Sequence, residues 1–133
     1  MNKKYTYKWY LMPDAWCLAQ SNVPSEILNK LSKDKYWAIR RYIAENCNTS
    51  IEVLLELSTD KHECVRAGVA NNPNIPIHIR EELSIDKNEY VRWVLAVHQN
   101  TPLDILMNLS KDKDKYVRNA AKENRINRMG LLK

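Results

Sequence analysis

Ten residues from Leu83 to Arg92, Leu-Ser-Ile-Asp-Lys-Asn-Glu-Tyr-Val-Arg, have counterparts at Leu31–Arg40, Leu57–Arg66 and Leu109–Arg118. Each copy starts 26 residues after the one before. A strict period of about 20 to 50 residues marks a repeat array, in which each unit buries its apolar side by stacking on its neighbours. Few other constraints on a chain of 133 residues are this tight, because the period fixes both the size of the building block and the number of copies.

Each unit has two parts. The first reads Asn48-Thr49-Ser50-Ile51-Glu52-Val53-Leu54-Leu55-Glu56-Leu57, and its counterparts begin at Asn22, Asn74 and Asn100. Thr49 with Glu52, and Thr101 with Asp104, have the spacing of a capping box. Pro24, Pro76 and Pro102 are expected in the first helical turn, where an N–H is not needed. The apolar sets Ile27, Leu28, Leu31; Val53, Leu54, Leu57; and Ile105, Leu106, Leu109 make one stripe on a helix of about two turns. Arg80 takes the middle place in the third unit and is expected to be half-buried.

The second part opens with Asp34, Asp60, Asp86 or Asp112. Asp is a good N-cap, and Glu63 and Glu89 stand where they could close a box. The helix that follows carries Ala38, Ile39, Tyr42 and Ile43 on one wide apolar face. The equivalents are Cys64, Val65, Gly68, Val69; Tyr90, Val91, Val94, Leu95; and Tyr116, Val117, Ala120, Ala121. Ala44, Ala70 and Ala96 follow where small size lets helices approach. Asn46 and Asn48, Asn72 and Asn74, then His98 and Asn100 end each unit. Asn tolerates left-handed backbone, so these turns are read as Asn-based.

The resulting division is an N-terminal cap over residues 1–19, four helical repeats over 20–121, and a truncated repeat or C-terminal cap over 122–133, one domain in all. Trp9, Leu11, Trp16 and Leu18 are the expected capping side chains. Only 2 Gly and 5 Pro occur, which disfavours a turn-rich β fold. The formal charge of +5 is carried by one end: Lys111 to Lys133 holds eight basic and three acidic residues, and the remainder balances. Cys17, Cys47 and Cys64 are odd in number and lack CxxC spacing, which fits reduced thiols in a cytoplasmic protein. No apolar run approaches the ~18 residues of a membrane span, so no membrane partner is expected.

The run Asn100-Thr-Pro-x-Asp-x-Leu-x-x-Leu-Ser-x-Asp-x-x-x-x-Val-Arg118 resembles the variant leucine-rich repeat family of bacteria, which is HEAT-like. The likeness covers about residues 20–121. It implies an all-α fold, a right-handed α-solenoid of short helix pairs, and no fixed activity. One member of that family carries a cysteine-rich iron–sulfur segment. Cys17 alone cannot supply one, so no cofactor is carried over.

The Arg ladder Arg40, Arg66, Arg92, Arg118 has two readings. Four guanidinia at one spacing could bind phosphates. Alternatively each pairs with an Asp of the ladder, and recurrence in every unit favours that structural reading. Function is expected where units differ, on the side of the second helix opposite the apolar face: Trp37, Arg41 and Glu45; Glu63, Ala67 and Asn71; Glu89, Trp93 and Val97; Lys115, Asn119 and Glu123. Exposed Trp and Arg are common interface anchors. Trp37, Arg41, Trp93, Val97 and Lys115 are therefore the candidate binding residues, with another protein as the expected partner. Nucleic acid is the alternative partner, through Arg118, Lys122, Arg125 and Arg128, although Glu45, Glu63 and Glu89 would repel phosphates. His62, His78 and His98 fall at unrelated places without metal-ligand spacing, and no phosphate loop or catalytic motif is present. A non-enzymatic binding module without metal or cofactor is the expectation.

Overall fold

The structure, a computed structural model, describes residues 22–130. The expected N-terminal cap, with Cys17, and the last three residues lie outside them. All regular elements among the described residues are α-helices: α1 (Ser25–Leu31), α2 (Trp37–Glu45), α3 (Ile51–Leu57), α4 (Glu63–Ala70), α5 (Ile77–Ser84), α6 (Glu89–Val97), α7 (Leu103–Leu109) and α8 (Lys115–Arg128). The odd-numbered helices start at residues 25, 51, 77 and 103, the even-numbered ones at 37, 63, 89 and 115. Both series keep the 26-residue step of the sequence. None of these helices is long and apolar enough to cross a membrane.

The chain divides into two compact units, Met1–Ile75 and Pro76–Lys133. In the first, α2 packs chiefly on α4, with α1 and α3 alongside. Leu28, Ile39, Ile43, Leu54, Val65 and Val69 form its core. In the second, α8 packs on α6 and α7, and α5 lies against α6 and α7. Its core is Ile79, Leu95, Leu106, Val91 and Val117. Ala44, Ala70 and Ala96 are all fully buried. α2 and α4 approach closely at Gly68 of α4. A Cβ there would meet the Arg41 carbonyl oxygen at 3.0 Å and the Ala44 Cβ at 3.1 Å. Gly68→Ala gains about 1 kcal/mol of helix propensity but must push the α2 backbone away, an overpacking cost of about 1–3 kcal/mol. The variant is expected to be less stable by about 1 kcal/mol in urea unfolding, despite its better helix former.

The polar signals recur as foreseen but act differently. Each Asp of the ladder sits two residues ahead of the helix cap and forms a turn. Its Oδ1 accepts the N–H of Tyr36, His62, Asn88 or Asp114 at 2.9 Å. Those four residues are the N-caps, not the Asp themselves. The turn is the same at all four places, and at Asp60 and Asp112 the carboxylate also has an arginine partner. In the first unit Arg40 donates to both oxygens of Asp60, at 2.7 and 3.0 Å. In the second, Arg92 donates to both oxygens of Asp112, at 2.8 and 3.1 Å. Nη1 of Arg40, Arg66, Arg92 and Arg118 also donates to the carbonyl six residues back, on Asp34, Asp60, Asp86 and Asp112, at 2.6–2.7 Å.

The capping boxes expected at Thr49 and Thr101 do not form. Ser50 is the cap of α3, accepting from the Val53 N–H, and Pro102 precedes α7. The two threonines are buried and donate to carbonyls at the end of the preceding helix, Thr49 to Ile43 at 2.6 Å and Thr101 to Leu95 at 2.7 Å. The prolines stand one place earlier than expected, as caps rather than inside the first turn. A cap contributes its carbonyl and needs no N–H.

The asparagines do not use left-handed backbone: among the described residues only Gly130 has a positive φ, of 67°. Asn72 works through its side chain instead. Its Nδ2 donates to the carbonyls of Ala44 and Asn46, at 2.8 and 3.0 Å, and its Oδ1 accepts the Asn74 N–H at 2.9 Å. Asn124 repeats the donor bonds in the second unit, onto Ala96 and His98. It does so from inside a helix, because α8 runs on to Arg128 rather than turning at the register position. Gly130 then ends that helix in the left-handed conformation that suits glycine. Arg80 is buried rather than half-buried, with 5 % of its surface exposed, and burial lowers its pKa from the ordinary arginine value.

Burial pushes the Asp60 carboxyl up. The hydrogen bonds from Arg40 and from the His62 N–H, together with the Arg40 charge, outweigh it and hold the pKa below the ordinary value. Asp112 is held down in the same way, against its own burial, by Arg92 and the Asp114 N–H. A lowered folded-state pKa means that the unfolded chain binds more protons in this range. The stability from these two groups is thus complete above the ordinary carboxylate pKa of about 3.9 and is lost as pH falls through the lowered values. The urea midpoint should fall on acidification below about pH 4. Asp60→Asn with Asp112→Asn should start lower at neutral pH and fall less steeply.

Candidate interaction surface

α6 is the most apolar of the even-numbered helices, and Val91, Val94, Leu95 and Ala96 bury it. At a helical turn of ~100° per residue, Trp93 and Val97 point away from that stripe. Both remain exposed, 39 % and 46 %. Across from them α8 presents Tyr116, Asn119 and Glu123. Together with Gln99, Ala120, Asn124, Asn127 and Arg128 they line a hollow of about 600 Å³. A second hollow, of about 560 Å³, is lined by Glu89, Tyr90, Trp93, Asp114 and Tyr116. Trp93 and Tyr116 line both hollows and so stand between them. The Trp93 ring lies 6.2 Å from the Tyr90 ring, with 15° between their planes.

In the first unit, Trp37, Ala38, Arg41, Tyr42, Glu45 and Asn71 line a hollow of about 400 Å³. Both candidate anchors there are engaged. The Trp37 ring stacks on His62 at 4.4 Å, and Arg41 pairs with Glu45 at 3.0 Å. Ala67, which the sequence places on this outward face, is buried.

The other candidates divide by what holds them. Lys115 is exposed, its Nζ 5.2 Å from the centre of the Tyr116 ring. Arg118 is tied to the Asp112 and Lys113 carbonyls. Arg128 donates to the Thr101 carbonyl. Lys122 is exposed and Arg125 is partly buried. The Arg ladder as a whole is bonded to backbone, and Arg40 and Arg92 also to carboxylate. His62, Glu63 and Cys64 bring ligand atoms within 4.8 Å of one another, but His62 Nδ1 already accepts the Cys64 N–H as the helix cap.

Tyr116 is the residue that sequence reasoning misplaced. The helical spacing places it on the apolar face, yet 66 % of it is exposed. Its equivalents Ala38, Cys64 and Tyr90 are only partly buried, so this place lies on the rim of the face. The mixture of Ala, Cys and Tyr at one register position was the available signal. Compared with protein-family models, with curated proteins and with solved structures, the chain finds no match.

Proposed function

We propose that the chain is a non-enzymatic protein-interaction module built on an α-helical repeat scaffold, and that Trp93 is the anchor of its binding surface. One observation carries this reading: α6 exposes a large aromatic beside Val97 and Tyr116, at the rim of two hollows, where the scaffold itself requires no aromatic. Buried aromatic anchors supply much of the energy of protein interfaces. The 26-residue period and the likeness to variant leucine-rich repeats support a right-handed solenoid of HEAT type of bacterial or phage origin, and three cysteines without CxxC spacing fit a cytoplasmic protein. The nucleic-acid alternative would rely chiefly on Lys122 and Arg125, since the ladder arginines and Arg128 bond backbone carbonyls.

The test is capture of a partner from the source cell by the intact chain and by Trp93→Ala. The variant should lose the partner, with at least about 2 kcal/mol of binding removed, the usual loss at an interface hot spot. Equal recovery would remove Trp93 from the surface. Binding to generic duplex DNA with a steep salt dependence would favour the alternative.

A further inference from the structure

The hollow between the start of α6 and the start of α8 has a specific chemistry. Three aromatic rings, Tyr90, Trp93 and Tyr116, line it with two carboxylates, Glu89 and Asp114, and the nearby cations, Lys115 and Arg92, lie outside its lining. Aromatic faces carry negative quadrupole potential, and cations bind over them. The Lys115 ammonium already lies over the Tyr116 ring, at 5.2 Å from its centre. Asp114 gives one oxygen, Oδ1, to the Tyr116 and Val117 N–H groups as the cap of α8.

We propose that this hollow receives a cationic side chain, an arginine, from the protein partner, a reading that rests on the interaction surface assigned above to Trp93. Rings and carboxylates together select a cation over an anion or a neutral group. The guanidinium fits better than an ammonium, because its plane stacks on rings while its edge meets carboxylates. The exposure of Trp93 and Tyr116 argues for a partner's side chain over a free small molecule. Pockets for small ligands bury roughly 70–90 % of the ligand, and this hollow leaves its two main aromatic residues, Trp93 and Tyr116, 39 % and 66 % exposed. A partner's backbone can cover what the hollow leaves open.

The test uses the intact chain labelled with ¹⁵N, its Trp93 indole resonance assigned by comparison with Trp93→Phe. The probes are N-acetyl-arginine amide, the neutral N-acetyl-citrulline amide and N-acetyl-leucine amide. Arginine should move the Trp93 indole signal with an affinity roughly fivefold above citrulline, the size of one exposed cation–π contact plus one exposed ion pair. Glu89→Gln with Asp114→Asn should remove the ion-pair share of that advantage, reducing it to about twofold, the cation–π share left by the rings, and leave citrulline unchanged. Asn at position 114 still caps the helix. Should the double variant fail to fold, Glu89→Gln alone should remove part of the advantage. Equal binding of arginine and citrulline, stronger binding of leucine, or no shift with any probe would overturn the proposal. A partner that wild type captures and Trp93→Ala loses would leave the interaction surface standing in that event; a partner retained by Trp93→Ala would remove both.

Discussion

Arg92→Ala should cost the second unit about 3 kcal/mol, the lower end of what breaking a buried ion pair removes. The Arg92 side chain is 6 % exposed and that of Asp112 is 9 % exposed. Without the guanidinium, Asp112 keeps only the Asp114 N–H, and the Asp86 carbonyl loses its donor. The lower end applies because the slight exposure of Asp112 lets some water reach it. A loss of this size is a large part of the roughly 5–15 kcal/mol that holds a domain folded. Arg92→Lys should recover little, because an ammonium cannot bond both carboxylate oxygens and the carbonyl in one plane. Arg92→Met with Asp112→Asn should lose less than the sum of the single changes, since Asn still accepts the Asp114 N–H and no charge is stranded. Urea unfolding followed by circular dichroism measures all of these. A loss below about 1 kcal/mol for Arg92→Ala, the size of an exposed ion pair, would show that the ladder does not hold the fold.

Asn72→Ala should destabilise the first unit by about 3 kcal/mol. The side chain is fully buried and makes three hydrogen bonds, two to carbonyls of the preceding repeat and one from the Asn74 N–H. Removing it strands groups that each cost about 1–3 kcal/mol when left unbonded in the interior. Asn72→Asp separates the two roles. It keeps the acceptor for Asn74 and loses both donors, while setting a carboxylate against two carbonyl oxygens. It is expected to be at least as damaging as Ala. An Asp variant close to wild type in urea midpoint would mean that the Asn74 turn, rather than the bonds across the repeat, is what the asparagine supplies.

The 26-residue step was fully legible, because a period in residue types passes directly into a period of helix starts. The apolar stripes were legible for the same reason. The polar residues were legible in position but not in role. Asp60 and Asp112 look like caps in isolation, yet each carboxylate opens the turn before the cap and bonds an arginine 20 residues away. Thr49 and Thr101 look like capping-box residues, but their hydroxyls close the preceding helix rather than open the next. These choices are made by partners distant in sequence, which a local pattern does not contain. On the candidate surface, Trp93 and Val97 could be read from the helical wheel, and both are exposed. Tyr90, Tyr116 and Asp114 reach the same hollow only because α8 packs on α6. Arg41, equally conspicuous in sequence, is taken up by Glu45 one turn away.

Residues that recur hold the fold, whereas Trp93 stands where the repeats differ. The most direct measurement pairs urea unfolding with partner capture for Arg92→Ala and Trp93→Ala. Trp93→Ala should lose less stability than Arg92→Ala, because 39 % of the residue is exposed and no buried charge is stranded, and should lose the partner. Arg92→Ala should lose about 3 kcal/mol yet still capture the partner under conditions where it remains folded. Partner capture intact in Trp93→Ala, or abolished in folded Arg92→Ala, would contradict that division.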